Sequence, residues 1–294
     1  MNVIIGTRGS KLALAQAEYV KNRLQKHYPQ NSYELKIIST KGDREQKKAL
    51  DQIGDKGLFV REIEQELLDG TISLAVHSMK DMPAEQPSGL VFAHAWKRED
   101  PRDVLILREA VSLEKLPQHA VIGTGSRRRA FQLLQLRKDL RITGIRGNVD
   151  TRIKKMQEEQ LDGIVLAAAG LHRLGRTSLI TQYFEPEQMI PAAAQGTLAL
   201  ELREDHKELF EQVNALSDIV TEEITCAEGL FLKGPGGDCH MPIGAYACKL
   251  PDGRMQLLGM VGSADGSSIK KCKVFGETPQ EAAQRALRET GCTR

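Results

Sequence analysis

The sequence lacks the patterns that mark several large classes of protein. Its five cysteines form no Cys-x-x-Cys pair, which argues against a zinc knuckle and against a disulfide framework. No apolar run approaches the roughly 20 residues that a membrane-spanning helix needs. The first residues include glycine and arginine where a secretory signal needs an apolar stretch. We therefore expect a protein of the reducing cytoplasm, with no metal and no membrane partner.

Aromatic residues are also scarce, at 4% of the 294 residues. Proteins that bind single-stranded nucleic acids stack the bases on aromatic rings, so the composition gives little support to a nucleic-acid partner. Lys and Arg total 41, and Asp and Glu total 39. Because the overall charge is nearly balanced, a local excess of one sign is informative. A chain of this length has room for two or three domains.

One such excess lies between Arg127 and Lys155, where ten Lys and Arg residues are opposed by two aspartates. Two runs supply much of this charge. Gly123-Thr-Gly-Ser-Arg-Arg-Arg129 ends at the start of the region, and Arg146-Gly-Asn-Val-Asp-Thr-Arg152 lies within it. A guanidinium is planar and permanently charged, and it pairs with a carboxylate or phosphate through two hydrogen bonds. The region indicates a site for a polyanionic small molecule, and a solvated basic helix face is the alternative.

The chain also contains an internal structural repeat. Residues 3–5 form an apolar run that enters a Gly/Ser turn before a helical pattern, and residues 121–122 do the same before a second helical pattern. The interval between matched glycines shortens along the chain, so the repeat is structural rather than tandem. It predicts two βαβαβ domains in which helix N-termini, which attract anions, follow strand ends. Two such domains facing each other would form a cleft for a ligand.

Domain boundaries are predicted from changes in composition. Residues 97–102 and 191–196 are expected to be crossovers, and residues 196–202 to form a strand that returns to the first domain. After Thr221 the pattern changes to a helix, a glycine-rich loop, short strands and a final helix, which indicates a smaller α+β unit. The expected domains are residues 1–97 with 197–216, residues 98–196, and residues 217–294.

Cys239 lies in a loop rich in glycine and proline, Lys233-Gly-Pro-Gly-Gly-Asp-Cys-His-Met-Pro242. Glycine allows a ligand to approach the backbone closely. The sulfur is therefore a candidate nucleophile or attachment point. The alternative is that Cys239 is simply a small buried hydrophobe, as we expect of the other four cysteines.

Lys80 and Asp81 follow the apolar residues 72–76, which places them at the carboxyl end of a predicted strand. Catalytic groups gather at this position in open α/β sheets. A carboxylate beside an ammonium stays ionised, and it can stabilise a cation or accept a proton. The simpler alternative is a salt bridge at the strand end, and His77 is expected to be a structural histidine.

Together these segments resemble the porphobilinogen deaminase (hydroxymethylbilane synthase) family over nearly the whole chain. The following segments carry the resemblance: Gly6-Thr-Arg-Gly-Ser-Lys-Leu-Ala13, Gly54-Asp-Lys-Gly-Leu-Phe-Val60, Val76-His-Ser-Met-Lys-Asp-Met-Pro83, Arg98-Glu-Asp-Pro-Arg-Asp103, residues 123–129, Arg146-Gly-Asn148 with Thr151-Arg152, Ala169-Gly-Leu-His-Arg-Leu-Gly175, and Cys239-His-Met-Pro-Ile-Gly244.

The resemblance implies a fold and a reaction. The expected fold has two α/β domains of the type 2 periplasmic-binding-protein kind and a smaller α+β C-terminal domain, in a monomer. The reaction condenses four porphobilinogen molecules head to tail, with loss of ammonia, into 1-hydroxymethylbilane for tetrapyrrole (haem) biosynthesis. A dipyrromethane cofactor, joined by a thioether to a loop cysteine, primes the growing chain.

The resemblance also implies roles for individual residues. Asp81 matches the catalytic aspartate, whose carboxylate would stabilise positive charge on pyrrole nitrogens. Cys239 matches the cofactor anchor, and Lys56 matches a substrate-binding position in a loop that covers the cleft. Positions that bind the cofactor are matched by Lys80, Thr124, Ser126, Arg128, Arg129 and Arg146. Positions that bind the substrate are matched by Arg8, Ser10, Arg152 and Arg173.

Three positions depart from the pattern of the family. Asp238 stands where a second glycine usually precedes the cysteine, and Gly125 and Arg127 stand where serine and leucine are more usual. Two other functions remain as alternatives. One is a non-catalytic anion-binding protein on the same two-lobed scaffold, and the other is a nucleic-acid-binding protein that uses the arginine-rich region.

Overall fold

The computed structural model describes residues 1–40, 60–83, 86–235, 241–263 and 268–292. Cys239, Asp238 and Lys56 lie outside the described residues. By their internal contacts the residues form two compact units. The first unit is Met1–Arg98 with Thr197–Glu222, and the second is Glu99–Gly196 with Glu223–Arg294.

The described strands and helices alternate through the first two thirds of the chain. The strands are β1 (Asn2–Thr7), β2 (Ser32–Ile37), β3 (Leu74–Ser78), β4 (Leu90–Phe92), β5 (Asp103–Leu107), β6 (Val121–Gly123), β7 (Arg141–Thr143), β8 (Gly163–Ala167), β9 (Gln182–Tyr183), β10 (Leu198–Arg203), β11 (Ile243–Lys249), β12 (Met255–Gly262) and β13 (Ile269–Gly276). The helices are α1 (Lys11–His27), α2 (Arg61–Leu68), α3 (Arg127–Leu136), α4 (Val149–Glu158), α5 (Ala168–Arg173), α6 (Lys207–Asn214), α7 (Ile219–Lys233) and α8 (Pro279–Thr290).

The first unit is built on a five-stranded sheet with the order β2-β1-β3-β10-β4. β1 is parallel to both β2 and β3, whereas β10 is antiparallel to β3 and β4. The strand predicted over residues 196–202 is β10, and its return to the first sheet is confirmed. It brings Leu198, Leu200 and Leu202 into the same apolar core as Val3 and Val76.

Helix α1 shows how the sequence specifies a local element. The hydroxyl of Ser10 accepts a hydrogen bond from the backbone N–H of Ala13 at 3.2 Å, as expected of an N-cap. Ala17, Val20 and Leu24 recur on one face and are fully buried. The predicted turn and helix after β1 are therefore confirmed.

A second five-stranded sheet has the order β7-β6-β8-β5-β9. β6 is parallel to β7 and β8, and β5 is antiparallel to β8 and β9. This order matches that of the first sheet strand for strand, so the predicted structural repeat is confirmed. β5 (Asp103–Leu107) was not predicted from the sequence, although it is as apolar as the runs that predicted β1 and β3.

The C-terminal residues form an antiparallel sheet of the order β11-β12-β13, covered by α8. Its core contains Phe231, Leu257 and Ala286. A Cβ on Gly259 would lie 2.8 Å from Cζ of Phe231, so glycine is needed for this close approach. The predicted strands and final helix are found within a few residues of their expected limits. The expected class, two α/β sheets with a smaller α+β unit, is confirmed.

Candidate active site

The carboxyl edge of the first sheet carries four of the predicted site residues. β1 and β3 are parallel neighbours, so their carboxyl ends reach the same edge. Arg8 and Ser10 follow β1, and Lys80 and Asp81 follow β3. Two segments far apart in sequence therefore place these side chains along one edge, as the motif analysis predicted.

Lys80 and Asp81 lie in a 3-10 turn that directly follows β3. The Met79 N–H donates to the Thr197 carbonyl at 3.0 Å, and the Met82 N–H donates to the Met79 carbonyl at 3.1 Å. Lys80 is half-buried and Asp81 is exposed. The backbone of the turn is thus tied to the sheet, while the carboxylate of Asp81 is presented to solvent and to any ligand at this edge.

The N-terminus of α1 adds polar groups to the same edge. Ser10 caps the helix, and Gln16, one turn further along, donates from Nε2 to the Ser78 hydroxyl at 3.1 Å. Arg8 is half-buried in the turn between β1 and α1. This edge therefore combines a helix N-terminus, which favours anions, with an exposed carboxylate.

The corresponding edge of the second sheet carries most of the predicted arginines. β7, β6 and β8 are adjacent parallel strands. Thr124 and Ser126 follow β6, Arg146 follows β7, and Arg173 ends the helix that follows β8. Arg152 lies on α4, in the same crossover as Arg146. These residues therefore follow neighbouring strand ends at one edge of the sheet, although they are far apart in sequence.

Arg128 and Arg129 are buried around a carboxylate, at 5% and 6% exposure. Nη1 of Arg128 donates to Oδ2 of Asp103 at 2.6 Å, and Nη2 of Arg129 donates to Oδ1 at 2.7 Å. Gln195 adds a third donor at 2.9 Å. Asp103 itself has no exposed surface. The carboxylate therefore holds both guanidinium groups in place under the N-terminus of α3.

The two arginines also determine the charge of Asp103. Burial by itself raises the pKa of a carboxyl group, but here the charges of Arg128 and Arg129 outweigh it and hold the pKa of Asp103 well below its ordinary value. The cluster contains two cations and one anion, so it keeps a positive charge. Asp103 was not singled out in the sequence, and the available signal was one acidic residue leading an otherwise apolar strand.

Arg146, Arg152 and Arg173 are half-buried, and main-chain carbonyls hold Arg152 and Arg173. Nε of Arg152 donates to the Gly147 carbonyl at 2.7 Å, and Nη2 of Arg173 donates to the Gly196 carbonyl at 2.7 Å. Gly147 has φ of +115°, a conformation that a side chain would strain. These bonds orient the guanidinium groups before any ligand arrives.

The donor set of the second edge fits a group that bears carboxylates. Thr124 and Ser126 supply hydroxyls beside the N-terminus of α3, where the Ser126 hydroxyl caps the Arg129 N–H at 3.4 Å. Arginine side chains supply permanent positive charge, and the acidic partner of Arg128 is buried beneath them. A dipyrromethane, with its acetate and propionate groups, is a ligand of this chemistry.

Among the described residues, no group of three or more His, Cys, Asp and Glu side chains is arranged to hold a metal ion. Over the same residues, no helix combines the length and apolar character needed to cross a membrane.

The two edges have the chemistry expected of an α/β protein that acts on organic anions, since one carries arginines and hydroxyls and the other an exposed carboxylate. A family model described as porphobilinogen deaminase, dipyromethane cofactor binding domain, matches residues 3–211. A second, porphobilinogen deaminase, C-terminal domain, matches residues 223–289. The chain belongs to the porphobilinogen deaminase family.

Similar proteins cover almost the whole chain. The porphobilinogen deaminase of Lachnospira eligens is 54% identical over 293 residues, which are 99% of each chain. That of Clostridioides difficile is 52% identical over 284 residues, 96% of this chain and 94% of that protein. A solved structure, of the methionine binding protein MetQ, is 12% identical with a TM-score of 0.47, over 73% of this chain and 89% of that one.

Proposed function

We propose that this chain condenses four porphobilinogen molecules into 1-hydroxymethylbilane, with Asp81 as the catalytic residue and the arginine-rich edge as the carboxylate-binding surface. The family match over residues 3–211 and 223–289 supports the reaction. The observation that carries the division of roles is the contrast between one exposed acid on the first edge and the arginines gathered on the second.

Each addition replaces a C–N bond by a C–C bond. The amino group of one porphobilinogen leaves as ammonia, and its methylene carbon is attacked by the unsubstituted ring carbon of another pyrrole, which then loses a proton. After four additions, one molecule of water would release the product: the C–C bond to the priming pyrrole breaks, the hydroxyl joins the methylene carbon, and a proton returns to the ring carbon of that pyrrole. The step places positive charge on pyrrole nitrogens, so a carboxylate fixed beside a pyrrole N–H lowers the barrier.

Asp81 has the properties that this role requires. It is exposed at a strand end, and its turn is tied to the sheet by the Met79 N–H. A preorganised carboxylate can stabilise the developing cation and can also accept a proton. Lys80, in the same turn, is proposed to bind a cofactor carboxylate.

The arginine-rich edge is proposed to hold the acetate and propionate groups of the cofactor and of successive substrates. The cofactor-binding residues are Thr124, Ser126, Arg128, Arg129 and Arg146, together with Lys80. The proposed substrate-binding residues of this edge are Arg152 and Arg173. Arg8 and Ser10 on the first edge, and Lys56, are proposed to bind the substrate as well. Arg128 and Arg129 are held by Asp103, so their guanidinium groups are oriented in advance of binding.

The dipyrromethane cofactor of this family is proposed to be joined through a thioether to Cys239. When bound, it supplies the terminal pyrrole to which the first porphobilinogen is added. The arginines hold its carboxylates, and this chain's contribution is thus orientation and charge.

We further propose the three domains expected from the sequence and a monomer that acts in the cytoplasm. Porphobilinogen is the proposed partner, and neither a nucleic acid nor a membrane is required for the reaction. Sedimentation of the purified protein tests the monomer, and ammonia release by the protein alone tests the independence from other partners.

The experiment that tests the function is the intact mass of the purified protein with its Cys239→Ser and Cys248→Ser variants. We expect the parent and Cys248→Ser to carry an excess equal to two linked pyrroles, and Cys239→Ser to lack it. Cys248 lies on β11 and serves as the matched control. An excess on Cys239→Ser would move the anchor to another cysteine. A parent that stayed unmodified and released no ammonia from porphobilinogen would favour a non-catalytic anion-binding protein.

A further inference from the structure

A buried polar cluster lies next to the turn that carries Asp81. Glu201 on β10 has no exposed surface and His77 on β3 is 6% exposed. Oε2 of Glu201 lies 3.2 Å from Nε2 of His77, within the range of electrostatic attraction, although the two atoms are not aligned for a hydrogen bond. His77 is opposite Ala199 in the antiparallel ladder. Glu201, two residues further along β10, is its diagonal neighbour on the same face of the sheet.

The same carboxylate also contacts the chain beyond Asp81. Gln86 donates from Nε2 to Oε1 of Glu201 at 3.1 Å. His77 precedes the turn that holds Lys80 and Asp81, and Gln86 follows it. Each oxygen of Glu201 therefore contacts one flank of the proposed catalytic segment.

A carboxylate at this position is not explained by packing. The neighbouring side chains on this face form an apolar cluster that includes Ile63, Leu67 and Ala75. Burying a carboxylate costs free energy that well-packed apolar residues of similar volume do not cost. A fully buried Glu201 therefore points to a role in fixing local geometry.

The other charged groups around Glu201 come from the adjacent helix. Glu64 on α2 is 6% exposed. Burial, and then the negative charge of Glu201, raise the pKa of Glu64, whereas His77 and Arg61 oppose the rise. Glu64 is therefore a second buried acid beside Glu201, and it is harder to ionise there than in water.

We propose that Glu201 is a positioning residue, which holds His77 and Gln86 on either side of the turn and so fixes the carboxylate of Asp81 for catalysis. The inference rests on the proposed role of Asp81. Glu201 is buried and acts through the geometry of the turn rather than by touching the substrate. Its replacement should therefore lower turnover more than it lowers the binding of porphobilinogen.

The test compares Glu201→Gln and Gln86→Ala with the control Gln65→Ala. Gln65 is an exposed residue of α2 whose side chain donates to Asp69 at 2.8 Å. We expect Glu201→Gln to lower kcat by about 10²-fold, because misplacing a catalytic group by about 1 Å has an effect of this size. Gln86→Ala, which loses one of the two contacts, should lower kcat by about tenfold. KM, the cofactor excess by intact mass and Tm should stay close to those of the parent, and Gln65→Ala should behave as the parent.

A second measurement asks whether Glu201 acts through Asp81. The Glu201→Gln change is repeated in an Asp81→Glu background, which keeps a carboxylate but misplaces it. Residues that act together are non-additive, so the second change should lower kcat by less than about threefold there. An equal loss in both backgrounds, or a loss seen only as lower Tm or cofactor loading, overturns the inference.

If Glu201→Gln does not fold, Gln86→Ala still tests the inference. Gln86 is half-buried, and its contact with the cluster is the hydrogen bond to Glu201. An unchanged kcat in Gln86→Ala then overturns the inference. Normal turnover in both variants with an inactive Asp81→Ala would overturn this inference alone. Full activity of Asp81→Ala would overturn the proposed role of Asp81 and the inference with it.

Discussion

The two five-stranded sheets have the same strand order, and each places a fully buried carboxylate on its antiparallel fourth strand. In the first sheet this is Glu201 on β10, and in the second it is Asp103 on β5. Glu201 contacts His77 and Gln86, which are neutral or weakly basic groups. Asp103 instead holds two guanidinium groups, and these lie at the N-terminus of α3. The two carboxylates lie on corresponding strands but at different positions, because Asp103 is opposite Ala167, the last residue of β8, and Glu201 is opposite Ala75, the second residue of β3.

Two halves with the same strand order can therefore carry different functional groups. In the first half, the buried carboxylate neighbours a turn that leaves another carboxylate, Asp81, exposed. In the second half, the buried carboxylate anchors cations, so that the edge attracts anions. Fold alone does not distinguish the two halves, and the distinction lies in a few side chains on corresponding strands.

The largest expected effect is on catalysis at the first edge. Asp81→Ala removes the exposed carboxylate and should lower kcat for porphobilinogen by about 10³-fold, because the transition state loses its electrostatic partner. The cofactor should stay attached, since the proposed anchor is elsewhere. Ammonia release and intact mass measure the two effects. Asp69→Ala, an exposed acid of the same unit, is the matched control and should retain activity. Substantial activity of Asp81→Ala would remove Asp81 from the mechanism.

The next largest effect is on stability, at the buried carboxylate of the second sheet. Asp103→Asn leaves Arg128 and Arg129 buried without an anion, and we expect it to lower the free energy of unfolding by about 3–5 kcal/mol. Urea unfolding of the two proteins measures the difference. An unchanged midpoint would show that the guanidinium groups find other partners and that Asp103 does not hold them.

The interaction of Asp103 with Arg128 and Arg129 also makes the stability of the protein depend on pH, in a direction that can be predicted. The pKa of Asp103 is lower in the folded protein than in the unfolded chain, so the unfolded chain binds the proton more tightly. The stabilisation by the pair should be complete above about pH 4, the ordinary range of an aspartate, and should decline as the pH falls below it. Urea midpoints of the parent and of Asp103→Asn should therefore converge in acid, and parallel curves would contradict this origin.

The smallest expected effect concerns the two equivalent helix caps. Ser10 accepts from the Ala13 N–H at 3.2 Å and Ser126 from the Arg129 N–H at 3.4 Å. Replacing either serine by alanine should lower the free energy of unfolding by about 1 kcal/mol. If both serines also bind carboxylates, each variant should raise KM for porphobilinogen or weaken cofactor binding beyond that loss. Equal stability losses with unchanged binding would leave both serines as caps alone.

Much of this organisation could be predicted from the sequence because it is local. The Gly/Ser turns, the N-caps and the apolar faces of α1 and α3 are specified by neighbouring residues. The repeat of these patterns predicted two similar sheets, and the strand-end position of Lys80 and Asp81 followed from the apolar run before them. β5 was not predicted, although it is an apolar run buried on both faces as β3 is.

The sequence by itself determined the repeat and the family, and it supplied the candidate site residues, since these depend on the order and spacing of residue types. Only the tertiary structure decided that Arg128 and Arg129 are buried around Asp103, and that Glu201 joins His77 to Gln86. These partners are 25, 26, 124 and 115 residues apart. They meet because an antiparallel fourth strand enters each sheet beside the strand end that carries the chemistry. Such a contact has no local pattern, so it is set by the packing of strands rather than by the spacing of residues.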